Sequence, residues 1–152
     1  MDSRNYLLGC LISLYTHWVN FYGQRGEPVT EVIKDTNWLQ GEFISTVQQR
    51  GAAIIKARGA SSAASAANAC VQSIYNLTHD TPAGETFSIS LCSSGQYGVD
   101  KGLIFSFPCR VEKGQLKVVE GFKQDDFGKE KFNITLEELR SEKAAVVELG
   151  LL

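Results

Sequence analysis

The apolar residues of this chain switch from a helical period to a period of two at "HDTPAG" (residues 79–84), and that change restricts the fold more than any other feature. Before it, "EVIKDTNWLQGEFISTVQQRGAAIIKAR" repeats apolar side chains at Trp38/Leu39, Phe43/Ile44, Val47 and Ile54/Ile55, the spacing of a helix face. After it, "TFSISLCSS" alternates with period two, and "LIFSFPCRVEKG" and "LKVVE" read as two more strands joined by a turn at Lys113-Gly114. "TLEELRSEKAAVVELG" then returns to the helical period. Helices, a strand meander and a last helix predict an α+β fold, with helices packed on an antiparallel sheet. Strands and helices do not alternate, so a doubly wound nucleotide fold is excluded.

Local signals set the expected boundaries. Asp35 or Thr36 caps the first long helix, and Gly59 stops it. Gly51 inside its pattern predicts a kink or a close packing contact. Ser61 or Ser62 supplies the N-cap of the next helix, which runs to about Leu77. Thr135 and Glu138 have the spacing of a capping box, so the last helix is expected to open at Thr135. Near the N-terminus, Tyr6 to Val19 is largely apolar but about half the length a bilayer demands. Asp2 and the lack of a small-residue cleavage site argue against a signal peptide, which leaves a core strand or helix. "GQRGEP" (residues 23–28) is a turn-rich break after it.

Composition narrows the partners. The 152 residues are 43% hydrophobic and 21% charged, with net charge −2 and scattered basic residues. Nucleic acid and anionic membrane are therefore poor partners. Cys10, Cys70, Cys92 and Cys109 lie far apart without a C-x-x-C pair or a neighbouring histidine, which excludes a zinc site. They read as reduced, mostly buried thiols of a cytoplasmic protein. The sequons at Asn76 and Asn133 carry no meaning without an export signal. His17, in the apolar run, and His79, at a helix end, read as structural.

The 14 glycines include no two placed two positions apart, so neither G-x-G-x-x-G nor a P-loop occurs, and no G-x-S-x-G elbow does either. The strongest chemical signal is the helix start at Gly59-Ala60-Ser61-Ser62. Unpaired backbone amides there favour an anion, and the serine hydroxyls add donors. Plain helix capping explains the same residues. From Arg58 to Cys70 the chain holds six alanines and three serines. Such small side chains admit either a neighbouring backbone or a flat ligand, and the residues alone leave both open.

The stretch "GEFISTVQQRGAAIIKARGASSAASAANA", continued by "YGVDKGLIFSFPCRVEKGQLKVVEGFKQDDFGKEKFNITLEELRSEK", resembles the C-terminal catalytic domain of NAD-dependent malate dehydrogenases, within the lactate/malate dehydrogenase superfamily. The resemblance preserves order and spacing from about Gly26 to the C-terminus. It implies a divergent segment 1–25 followed by a substrate domain 26–152. In such enzymes a Rossmann half binds NAD, a histidine–aspartate pair moves the hydroxyl proton, and arginines clamp the dicarboxylate. Nearly all of that machinery belongs upstream of the matched region, which accounts for the missing glycine fingerprint.

By the same resemblance Ser61 lies at the substrate edge and Ser65 at the position facing the nicotinamide. The family's Gly-Asn-His-Ser motif falls on Gly9-Cys10-Leu11-Ile12, and leucine at position 11 cannot transfer a proton. His17 reaches that place only after a six-residue shift. The expectation is therefore a malate/oxaloacetate domain, inactive alone and completed by a cofactor domain. It pairs with a full-length subunit or forms a homo-oligomer. The alternatives are a non-catalytic interaction partner of an intact dehydrogenase and a small-acid-binding module built on the Ser61 helix start.

Overall fold

The computed structural model describes residues 29–151. Four helices lead: α1 (Val29–Val32), α2 (Thr36–Gln40), α3 (Glu42–Arg58) and α4 (Ala64–Thr78). Three strands follow, β1 (Phe87–Cys92), β2 (Ile104–Glu112) and β3 (Gln115–Val118), with a 3-10 turn at Gln96–Gly98, and α5 (Asp126–Glu148) closes the chain. The expected α+β order is the order found.

The sheet is an antiparallel meander, β1-β2-β3. Phe87 pairs with Cys109 and Cys92 with Ile104, while Glu112 faces Gln115 across the second hairpin. Lys113 and Gly114 form that two-residue turn with φ of +52° and +73°. Two positive φ values match the right-handed twist of the flanking strands. On β2, Phe105, Phe107, Cys109 and Val111 alternate inward and are buried. Phe132, Leu136 and Leu139 of α5, spaced for one helix face, join Phe105, Phe107 and Cys109 in one core cluster with Val99 and Leu103. Phe105 meets Phe132 with ring centroids 5.0 Å apart at a tilt of 56°, within the range of a favourable aromatic pair.

Several boundaries differ from expectation, each for a local reason. Asp35 does cap a helix, accepting from the Trp38 amide at 2.9 Å, but that helix is the short α2. The break falls at Gly41, where a Cβ would stand 2.9 Å from the Asn37 carbonyl. Gly51 sits in unbroken α3 with open space around it, so the close contact expected there is absent. Gly59 ends α3 as expected, at φ +73° with its amide on the Ile55 carbonyl. The last helix opens nine residues before Thr135, because the Asp125 carboxylate accepts from the Gly128 amide at 2.7 Å. Thr135 is an interior helical residue, 2% exposed. Of the thiols expected to be mostly buried, Cys109 is buried, but Cys70 and Cys92 are exposed. Cys10, His17 and the apolar run 6–19 lie outside the described residues.

Leu39 anchors a smaller cluster with Val29, Phe43, Ile44 and Phe127, which joins α1, α2 and α3 to the start of α5. Among the described residues no helix is long and apolar enough to cross a membrane, and no group of three His, Cys, Asp or Glu side chains is placed to hold a metal.

Candidate functional site

Residues 59–63 link α3 to α4, and all are exposed but Ser62, which is half-buried. Gly59 turns the chain out of α3, and α4 begins behind Ala63, which takes φ +45° and ψ −62°. Neither Ser61 nor Ser62 makes the expected side-chain cap, because both hydroxyls turn elsewhere. The Ser65 hydroxyl donates to the Ser62 hydroxyl, one helical turn back. Ser61 Oγ approaches the Ala63 amide at 3.5 Å, the outer limit of a hydrogen bond. The first-turn amides of α4 therefore lack a serine cap, and that end of a 15-residue helix carries partial positive charge.

Arg58 completes the cluster. Its Nη1 donates to the Ser62 carbonyl at 3.2 Å, so the guanidinium stands over the loop. Arg58 is not among the residues expected at the site. The available signal was its place one residue before the helix-stopping glycine, within reach of the carbonyls that follow. Ser61, Ser62, Ser65 and Arg58 thus form one small polar cluster with a cationic member. Leu11, where the resemblance was expected to place the family's histidine, lies outside the described residues, as does His17. His79 caps the far end of α4, its Nδ1 3.1 Å from the Tyr75 carbonyl and its ring stacked on Tyr75 at 4.1 Å. Those contacts give it the structural part expected of it.

A second charged group lines an open groove between α5 and the loop after the 3-10 turn. There Arg140 is bound by both Asp100 and Glu137. The Arg140 hydrogen bond holds the Asp100 carboxyl below the usual carboxylate range, and both acids raise the guanidinium. A guanidinium occupied twice over has few donors left for a ligand. The α4 cluster is the better candidate on that count.

The sequence matches, over residues 20–149, the family described as lactate/malate dehydrogenase, alpha/beta C-terminal domain. Its structure is similar to malate dehydrogenase from Naegleria fowleri, at 42% identity and a TM-score of 0.69, over 78% of this chain and 36% of that one. It is similar also to Trichomonas vaginalis lactate dehydrogenase in complex with NADH and oxamate, at 32% identity and a TM-score of 0.75, over 89% and 43% of the two chains. Malate dehydrogenase from Plasmodium falciparum in complex with NADH shares the fold at 19% identity and a TM-score of 0.66, over 98% and 56%. The chain belongs to the lactate/malate dehydrogenase family and carries its alpha/beta C-terminal domain. It spans under two thirds of the length of each of these relatives.

Proposed function

We propose that this chain supplies the substrate side of an NAD-dependent malate dehydrogenase, with Ser61 at the substrate edge and Ser65 toward the nicotinamide. The observation that carries the reading is the exposed Arg58–Ser65 cluster, whose helix start offers amides, hydroxyls and a guanidinium to a carboxylate. Malate is favoured over lactate by the 42% identity to a malate dehydrogenase, against 32% and 34% to two structures of a lactate dehydrogenase. Malate also carries the second carboxylate that such a cluster suits. The small residues of α4 leave room for a flat ring beside it.

The 152 residues hold no dinucleotide fingerprint, and leucine stands where the family's histidine is expected. Alone they bind NAD poorly and do not reduce oxaloacetate with NADH. The Leu11→His change by itself restores nothing, because an orienting aspartate and the arginine clamp are also missing, and members of a catalytic set act together. The deciding experiment grafts residues 26–152 behind the N-terminal half of an active malate dehydrogenase. The chimera is expected to turn over malate, and Ser61→Leu in it to lower kcat/KM about tenfold or more. A Ser61→Leu chimera that melts like its parent and keeps full kcat/KM removes Ser61 from the substrate site.

A specific observation favours one further role. Val71, Ile74 and Tyr75 stand 65%, 62% and 54% exposed along α4, which buries none of its residues. A row of that kind suits association with a full-length dehydrogenase subunit or a second copy of this chain. Co-purification with an intact dehydrogenase, lost on Ile74→Ser, is the expected result.

A further inference from the structure

Among all serines and threonines of the 152 residues, Ser61 alone has a basic residue three positions before it, Arg58, and Lys56 stands five before. We propose that Ser61 is a phosphoacceptor for a protein serine/threonine kinase that selects basic residues upstream of its target. Such enzymes read cationic side chains through an acidic substrate groove, so charge pattern sets the choice of serine.

The loop's structure separates Ser61 from its neighbours. Ser61 is exposed, and among the described residues its hydroxyl has one hydrogen-bond contact, at 3.5 Å to the Ala63 amide. Ser62 is half-buried with its Oγ taken by Ser65, and Ser65 lies within the helix. Neither Lys56 nor Arg58 makes an ion pair among the described residues, so both are available to a kinase. Residues 55–61 are all exposed, and Gly59 already ends the helix. Opening the last turn of α3 into the extended form a kinase groove needs therefore breaks few buried contacts.

In the transfer, Ser61 Oγ attacks the γ-phosphorus of ATP. The new Oγ–P bond forms as the bond to the β-phosphate oxygen breaks, ADP leaves, and the hydroxyl proton passes to the kinase's catalytic aspartate. The product carries a charge of about −1.5 to −2 three residues before the first residue of α4, where the helix end and Arg58 both favour it. Its consequence for substrate rests on the reading given under Proposed function: a dianion on Ser61 repels the carboxylate placed there.

The test incubates the full chain with the catalytic subunit of cyclic-AMP-dependent protein kinase and magnesium ATP, and maps phosphate by peptide mass spectrometry. Phosphate is expected on Ser61, lost in Ser61→Ala, kept in Ser62→Ala, and formed about tenfold or more slowly in Arg58→Ala. No incorporation, phosphate on Ser62 or Ser65 instead, or an unchanged rate in Arg58→Ala overturns the proposal. The phosphorylated malate dehydrogenase chimera is then assayed, with a loss of tenfold or more in kcat/KM expected. Full activity with Ser61 phosphorylated would sink the substrate-edge reading and leave the modification standing.

Discussion

The sheet with α5 and the pair α3–α4 are built on different terms. In the first, Phe107, Val99, Cys109 and Val111 are at most 1% exposed, and every strand finds its partner within the described residues. In the second, 17 and 15 residues of regular helix bury none of their own side chains. Both helices are properly ended, α3 by Gly59 and α4 by His79, so local geometry is not what they lack. Helix stability in proteins comes chiefly from packing an apolar face, and among the described residues that packing is partial here: Phe43 and Ile44 of α3 are half-buried against Leu39, while Val71, Ile74 and Tyr75 of α4 stay exposed. One region buries its apolar side chains fully, and the other does not.

The two regions are expected to differ most in what a core truncation costs. Phe107→Ala is expected to destabilise the chain by about 3–5 kcal/mol, enough to unfold a marginal domain, whereas Ile74→Ala should stay within about 0.5 kcal/mol. Urea titration followed by circular dichroism compares them, and equal shifts would erase the distinction between the two regions. Next in size is Tyr97→Phe. The Tyr97 hydroxyl donates to the Val119 carbonyl and its ring lies on Phe107, 6.3 Å between centroids. Loss of that donor should cost about 1 kcal/mol, read as a lower melting temperature. Burial also raises the Tyr97 phenol, so its ionisation in the folded chain should begin above the free-tyrosine value in an ultraviolet pH titration.

The exposed face gives a sharper test with little change in stability. Val71→Ser with Ile74→Ser should reduce self-association, seen by light scattering as a smaller mean mass, while the melt hardly moves. The smallest effect concerns pH. Asp100 and Glu112 have folded-state pKa values lowered by hydrogen bonds from Arg140 and Lys117. A carboxylate held low stabilises the fold above its unfolded value of about 4 and loses that contribution as pH falls through the folded value. The melting temperature should therefore drop slightly on acidification below about pH 4, and less in Asp100→Asn. An equal drop in that variant removes the ion pair from the account.

The same division governs what was legible in the sequence. The strands were readable because alternation on β2 and the Lys113-Gly114 turn act locally and agree with each other. The start of α5 was not. Gly128 and Asn133 weaken its helical signal, and the Thr135–Glu138 spacing imitates a cap that Asp125 supplies earlier. Gly41 and Gly51 differ only in what surrounds them, a carbonyl at 2.9 Å or open space, and no pattern in one chain states that. The α4 cluster was legible in position and residue type, since Gly59 and the serines announce a helix junction. Which hydroxyl faces which partner was not, for Ser62 had a choice between an amide and Ser65 and took the latter.

Asp80 and Thr81, just past α4, clasp the far hairpin. The Thr81 amide donates to the Val111 carbonyl at 2.9 Å, the Val111 amide donates to Thr81 Oγ1 at 2.8 Å, and the Gly114 amide donates to Asp80 Oδ1 at 3.0 Å. These bonds close loops of 30 and 34 residues, whereas the hairpin of β2 and β3 closes over the two residues of its turn. Short closures cost less chain entropy and form sooner. The meander is thus expected to assemble first, with the end of α4 drawn in last. In hydrogen exchange, the Gly114 amide should be released before the amides of β2 that pair within the sheet. The clasp is thus expected to act as a late latch, opening while the sheet stays whole.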